Sequence, residues 1–251
     1  DVQSYVVPTR KNWQDEPAGL IGFYEDPDNH KLATPSGKLE YYSTALAQMF
    51  PDDRERGPVP HWVEESDEHQ DRITSERAKD YPYLLVSNHP HWRIHAQFDD
   101  NPWTREFRTC KVYGPDGYGY EPVWVNPKDA ARAGLRDGDI VKVFNERGAV
   151  LGGVYVTERI MPGVVYQDHG ARTDTIVGGH GGLDRGGANN LICPTATSSR
   201  HAFGEVTSGF LVGVEKVDVF ELARQHPEAF GRAYDREQGL VVASRLAHEE
   251  D

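Results

Sequence analysis

Apolar residues in the middle of this chain come in short bursts, and the bursts have the length of β-strands. Tyr83-Leu84-Leu85-Val86 runs without a polar break, the pattern of a strand buried on both faces. Glu121-Pro122-Val123-Trp124-Val125, Ile140-Val141-Lys142-Val143-Phe144, Ala149 to Val156, Val164-Val165-Tyr166 and Phe210-Leu211-Val212-Gly213-Val214 continue the series. Turn residues separate them: Asn126-Pro127 as a stop, Leu135 to Asp139, Pro162-Gly163, and Asn145-Glu146-Arg147-Gly148 with Gly148 expected in the left-handed position. One helix interrupts the pattern, Lys128 to Ala133, closed by Gly134, which takes φ > 0 without penalty. Short strands at this spacing with stubby helices predict a mainly β fold, a barrel and not a doubly wound sheet.

The flanks differ. Between Asp15 and Asp80 the chain is dense in Pro, Asp, Glu and Arg, which predicts an arm without a core of its own. Gly22 to Pro27 and Thr34 to Tyr42 are islands within it. Alternation from Lys38 suggests a short strand, and Thr44 to Met49 a helix capped by Ser43. Asn101 to Phe107 reads as a helix start or turn, and Gly114 to Gly119 as a loop. Gly178 to Gly187 holds six glycines in ten positions. Such a backbone either approaches a ligand closely or is mobile, and mobility is the stronger expectation. Val219 to Gln225 reads as a final helix before a polar tail. The expected organisation is an arm over 1–80, a barrel over 81–219, and a helix and tail over 220–251.

Composition narrows the possibilities. No apolar run is long enough to span a bilayer. A net charge of −13 argues against a general nucleic-acid binder, so any phosphate ligand needs a local site. Cys110 and Cys193 lack the spacing of a zinc or iron–sulfur motif and read as small buried hydrophobes. No P-loop or Rossmann glycine pattern supports a self-contained nucleotide enzyme. The chain starts at Asp1 without a signal-like segment, and is expected to be a piece of something longer.

The chemistry concentrates in Ser87-Asn88-His89-Pro90-His91-Trp92-Arg93-Ile94-His95-Ala96-Gln97, directly after the first buried strand. An Arg fork suits phosphate, and Ser, Asn and His add neutral hydrogen bonds. A polar surface loop is the other reading of the same residues. Asp137 and Asp139 have the spacing of a turn and not of an acid/base pair. His30, His61, His69, His226 and His248 read as surface residues, and His180 is left open.

The order TPSGKLE, SNHPHWRIHAQ, VNPKDAARAGLRDGDIVKVFNERGAV, PGVVYQDHGA, GGANNLICPTATSS resembles the C-terminal part of the dimethyl sulfoxide reductase family of molybdenum/tungsten oxidoreductases, from about Gly22 to Val217. GFLVGVEKV and RIHAQFDDNPWTREF look most like the pyrogallol–phloroglucinol transhydroxylase branch. The resemblance implies a six-stranded double-psi β-barrel with an extended N-terminal arm, gripping a bis(molybdopterin guanine dinucleotide) carrying Mo or W. It implies that Ser87, Asn88 and His89 approach the cofactor and that Arg93, His95 and Gln97 meet its phosphates and pterins. It places Asn126 and Asp129 at a guanine, and Gln167, His169 and Asn190 near pterin rings. For Asp129, a carboxylate complementing a helix dipole is the plainer role. The family's metal ligand and iron–sulfur cysteines lie upstream, so no catalytic residue or metal ligand is expected here. Implied partners are the remaining catalytic domains, on the same or another chain, and an iron–sulfur electron-transfer subunit. The arm around Thr34 to Lys38 is expected against their substrate funnel. The alternative is a cofactor-free double-psi barrel acting as a binding or adaptor module.

Overall fold

A computed structural model describes residues 20–53, 56–61, 71–99, 101–105, 107, 109–199, 202–235 and 240–241. His69 and His248, read above as surface residues, lie outside them, as does most of the polar tail. The chain divides into two compact units, residues 1–66 and 67–251.

In the first unit, helices span Ile21–Glu25 and Thr44–Met49. Ser43 caps the second by accepting a hydrogen bond from the Leu46 N–H at 3.2 Å. The strand expected from Lys38 does not form. Turn hydrogen bonds take its place: the Thr34 hydroxyl donates to the Lys38 carbonyl and the Ser36 N–H to Glu40.

The second unit is built on six strands: β1 (Tyr83–Val86), β2 (Pro122–Val125), β3 (Ile140–Asn145), β4 (Gly148–Val156), β5 (Val164–Gln167) and β6 (Phe210–Lys216). They pair in the ring β2-β5-β1-β6-β3-β4, and β4 closes back onto β2. The barrel is therefore closed and its six strands have no free edge. Only β1/β5 and β2/β4 run parallel. Mapping β1, β2 and β3 onto β4, β5 and β6 reproduces every pairing and its direction, so the barrel has an internal two-fold, the mark of a double-psi barrel. Short β-branched strands suit such a closed, inward-facing surface. Leu85, Val123, Val125, Val141, Val143, Val150, Val154, Val165, Phe210 and Val212 fill the interior.

Helix α1 (Pro127–Ala133) follows β2. Asn126 and Pro127 begin it instead of merely ending the strand. Asn126 caps it by accepting from the Lys128 N–H at 3.0 Å, Pro127 occupies its first turn, and Gly134 ends it at φ +67°. In the turn that follows, Asp137 accepts from the Val156 N–H and Asp139 from the Arg136 N–H and Lys216, so both serve the scaffold. Gly148 is not left-handed. It opens β4 opposite Asn145, and a side chain there would press on Leu191 and the Gly182 carbonyl. The glycine-rich stretch is folded, with Thr175–Val177 pairing with Gly182–Asp184. Gly186 sits so close to the Arg172 carbonyl that a Cβ would lie 2.0 Å from its oxygen. Glycine is there for backbone contact. Helix α2 (Val219–Gln225) forms as expected, capped by Asp218.

Candidate functional site at the end of strands β1 and β5

Strand register assembles the site. β1 and β5 are parallel neighbours with Val86 opposite Tyr166. Three residues further along each chain stand His89 and His169, brought side by side by the same register. The His169 N–H donates to the Asn88 carbonyl at 3.1 Å and prolongs the ladder. A third histidine comes from a tight turn in which Ile94 and Gln97 exchange backbone hydrogen bonds. There His95 takes φ +52°, a strained conformation for a residue with a Cβ. Its backbone lies against Gly170, where a side chain would come within 2.5 Å of the His95 Cα. The His89, His95 and His169 rings pack with centroids 4.5–5.0 Å apart. His169 Nε2 and His95 Nδ1 share a hydrogen bond of 2.6 Å. Burial, followed by the neighbouring His89, His95 and Arg93, holds His169 below the usual histidine range, which favours a neutral ring.

Arg93 does not reach toward a ligand. Its side chain is fully buried beneath the histidines, paired with both oxygens of Glu121 at 2.7 and 3.1 Å and with Asp99 at 2.9 Å. Its Nε and Nη2 also donate to the His169 carbonyl. The fork is thus saturated from below, and the expected phosphate contact is replaced by a positioning role for His169. Lys111 joins Glu121 and Asp99 in the same buried cluster. Burial alone would lower both cations' pKa; the adjacent carboxylates outweigh it and raise both. Asp168, beside them, is pushed up to about 6, chiefly by burial, although Tyr166 donates to one of its oxygens. Its other oxygen has no protein partner.

The remaining predicted residues divide between the barrel's two ends. Ser87 is half-buried and its hydroxyl accepts from Asn189 at 3.0 Å. Asn189 also donates to the Gln167 and Asp168 carbonyls and so ties three segments together. Asn190, the residue expected to do this, is exposed and lines a cleft of about 310 Å³ with Thr173, Thr175 and Asp184. Gln167 is completely buried, and neither atom of its amide finds a protein partner. Asn88 and His89 line a second cleft of about 470 Å³ with Trp92, Trp124, Arg159 and Tyr166. The indole N–H groups of Trp92 and Trp124 are unpartnered. Gln97 is exposed on the His95 turn.

Asn126 and Asp129 are at the other end. β2 runs antiparallel to β5, so the residues that follow β2 face the start of β5 and not His169. Asp129 accepts from the Gly163 N–H at 2.6 Å and pairs with Arg132, while Asn126 donates to the Ile160 carbonyl at 2.7 Å. Both have local partners that hold a turn to a helix. Four-residue strands separate them from the histidines by about 10–13 Å. Arg93, Asp129 and Asn190 therefore do not share a groove.

Sequence reading missed Glu121, Asp99, Lys111, Asn189 and Arg159. Glu121 carried a signal: a charged residue heading an apolar strand needs a buried partner. Which of Asn189 and Asn190 turns inward, and which cation faces Glu121, depend on strand register alone.

Comparison with known proteins relates the barrel to a family. Residues 83–205 match the molydopterin dinucleotide binding domain. This part of the chain belongs to that family. The chain is 37% identical over 195 residues to trimethylamine-N-oxide reductase 1 of Escherichia coli K12, covering 77% of this chain and 22% of the relative. It is 34% identical over 195 residues to the dimethyl sulfoxide/trimethylamine N-oxide reductase of Cereibacter sphaeroides, again 77% and 22%. The chain thus spans about a fifth of the length of these relatives. The structure of acetylene hydratase from Pelobacter acetylenicus shares the fold at a TM-score of 0.54 and 20% identity, over 76% of this chain and 25% of that one. The resemblance to the dimethyl sulfoxide reductase family holds. Among the described residues no helix is long and apolar enough to cross a membrane.

Proposed function

We propose that this chain is the cofactor-holding portion of a molybdenum- or tungsten-dependent oxidoreductase. The observation that carries the reading is the match of residues 83–205 to a dinucleotide-binding domain, coinciding with unpartnered polar groups at one end of the barrel. The donor set suits the cofactor. Amide, imidazole and indole groups offer donors and acceptors to a polyheterocyclic pterin, and a neutral set lets an acidic chain hold it. Ser87, Asn88, His89, His95, Gln97, Gln167, His169 and Asn190 are assigned as its contacts. Arg159, exposed on the larger cleft, takes over the phosphate role expected of Arg93. The bis(molybdopterin guanine dinucleotide), when bound, supplies the redox chemistry. This chain's residues bind and orient it. The metal ligand, any iron–sulfur clusters and the electron partner belong to the remaining domains or subunits, and the arm over 1–80 is assigned to those domains.

For the reaction of the whole enzyme, the names of the relatives favour reduction of an N-oxide or sulfoxide. Hydroxyl transfer on polyphenols is the second reading, supported by the RIHAQFDDNPWTREF and GFLVGVEKV segments. Denaturing the purified, active enzyme should release guanine nucleotide, detected by chromatography. An active preparation yielding none would overturn the assignment. Assaying the same preparation with trimethylamine N-oxide and with pyrogallol distinguishes the two reactions.

A further inference from the structure

We propose that His89, His95 and His169 form a binding site for a late first-row divalent metal ion, separate in kind from the molybdenum or tungsten of the cofactor. One ligand nitrogen from each imidazole lies within 4.8 Å of the other two, the only such trio of ligating side chains among the described residues. In a tetrahedral zinc site, bonds of about 2.0–2.1 Å place ligand nitrogens about 3.3 Å apart. Here His95 Nδ1 and His169 Nε2 are 2.6 Å apart, and one nitrogen of each ring lies within 4.8 Å of the other two. Small ring movements therefore suffice. His89 and His95 are exposed and His169 is half-buried, so the fourth position opens to solvent.

The scaffold beneath is stiffer than the rings. His89 and His169 are fixed by the β1/β5 register. His95 is held by its two-hydrogen-bond turn and by contact with Gly170, and the His169 carbonyl is gripped by Arg93. Two distant stretches, the loop after β1 with His89 and His95 and the end of β5 with His169, thus present three imidazoles to one point. Imidazole selects zinc, copper or nickel, and a trio without a carboxylate gives magnesium or calcium little to bind. The hydrogen bond between His95 and His169 already aims one ring's lone pair at the other's N–H. A metal ion takes the place of that shared proton, which moves by exchange through solvent to the other nitrogen of the donating ring, so both rings bind as neutral imidazoles.

The inference does not rest on the cofactor reading. A nitrogen that ligates a metal cannot also contact the dinucleotide, so the two occupants exclude one another at these rings. The test uses the cofactor-free chain, dialysed against chelator and titrated with Zn²⁺ by calorimetry. One equivalent should bind, and Co²⁺ should give the visible spectrum of a low-coordinate nitrogen site. His95→Gln and His169→Gln should each weaken binding at least tenfold, whereas His91→Gln and His180→Gln should leave it unchanged. Near-UV circular dichroism checks that each variant keeps its fold; if one does not, His89→Gln on its exposed loop replaces it. No Zn²⁺ uptake, or uptake unaffected by all three trio substitutions, overturns the proposal. Guanine nucleotide release from the whole enzyme is unaffected by that result, so the two readings fail separately.

Discussion

Arg93 shows how much one side chain's meaning depends on what faces it. In the sequence it lies among histidines and asparagine, and an arginine in such company reads as an anion-binding fork. In the fold the company that matters is Glu121, 28 positions away, together with Asp99. Both carboxylates and Lys111 are buried with it, so charge balance fixes where the guanidinium goes. Truncating one member of such a cluster strands the others, at a cost of about 3–5 kcal/mol. Arg93→Met should therefore lower the free energy of unfolding by that amount, read as a lower midpoint in urea. Arg93→Lys should recover little, because an ammonium cannot span both Glu121 oxygens and the His169 carbonyl. An unchanged midpoint would show that the cluster contributes no net stability. The residue types of the site were legible in the sequence, but their depth and direction were not.

Elements were easier to read than side-chain directions. The six barrel strands follow from apolar bursts and turn residues, and helix α1 from its glycine stop, because these signals are local. The errors within the barrel unit share a cause, a distant segment overriding a local preference. Gly148 is dictated by Gly182 and Leu191 across the sheet, not by its turn. The glycine-rich stretch folds because its backbone packs on Arg172, which composition does not reveal. Asn126 belongs to this scale, since it caps α1 and at the same time tethers the loop at Ile160. Asn126→Ala should lower stability by about 1–2 kcal/mol, read as a drop in thermal midpoint. No change would mean that water replaces the cap fully.

For the whole molecule, the sequence implied a closed barrel through resemblance, and strand pairing supplies the proof of closure. It could not show that the expected contacts occupy two ends, since that follows from β2 and β5 running in opposite directions. Stability should also respond to pH through Asp168. Its carboxyl sits at about 6 in the folded chain, against roughly 3.9 when unfolded. Between those values the folded chain keeps a proton that the unfolded chain has lost. The stabilisation is full below about pH 4 and is lost as pH rises through 6, amounting to about 2–3 kcal/mol. Thermal melts from pH 4 to 8 should show this decline, and Asp168→Asn should flatten it relative to the parent; parallel curves would refute it.

The pairing of β1 with β5 joins stretches of chain some 80 residues apart, and the histidine-bearing loops meet only once that seam has been stitched. Whatever ligand spans those loops then works as a buckle. Its binding free energy adds directly to the energy needed to part the seam, so occupancy should be measurable as resistance to unfolding well before any turnover is assayed.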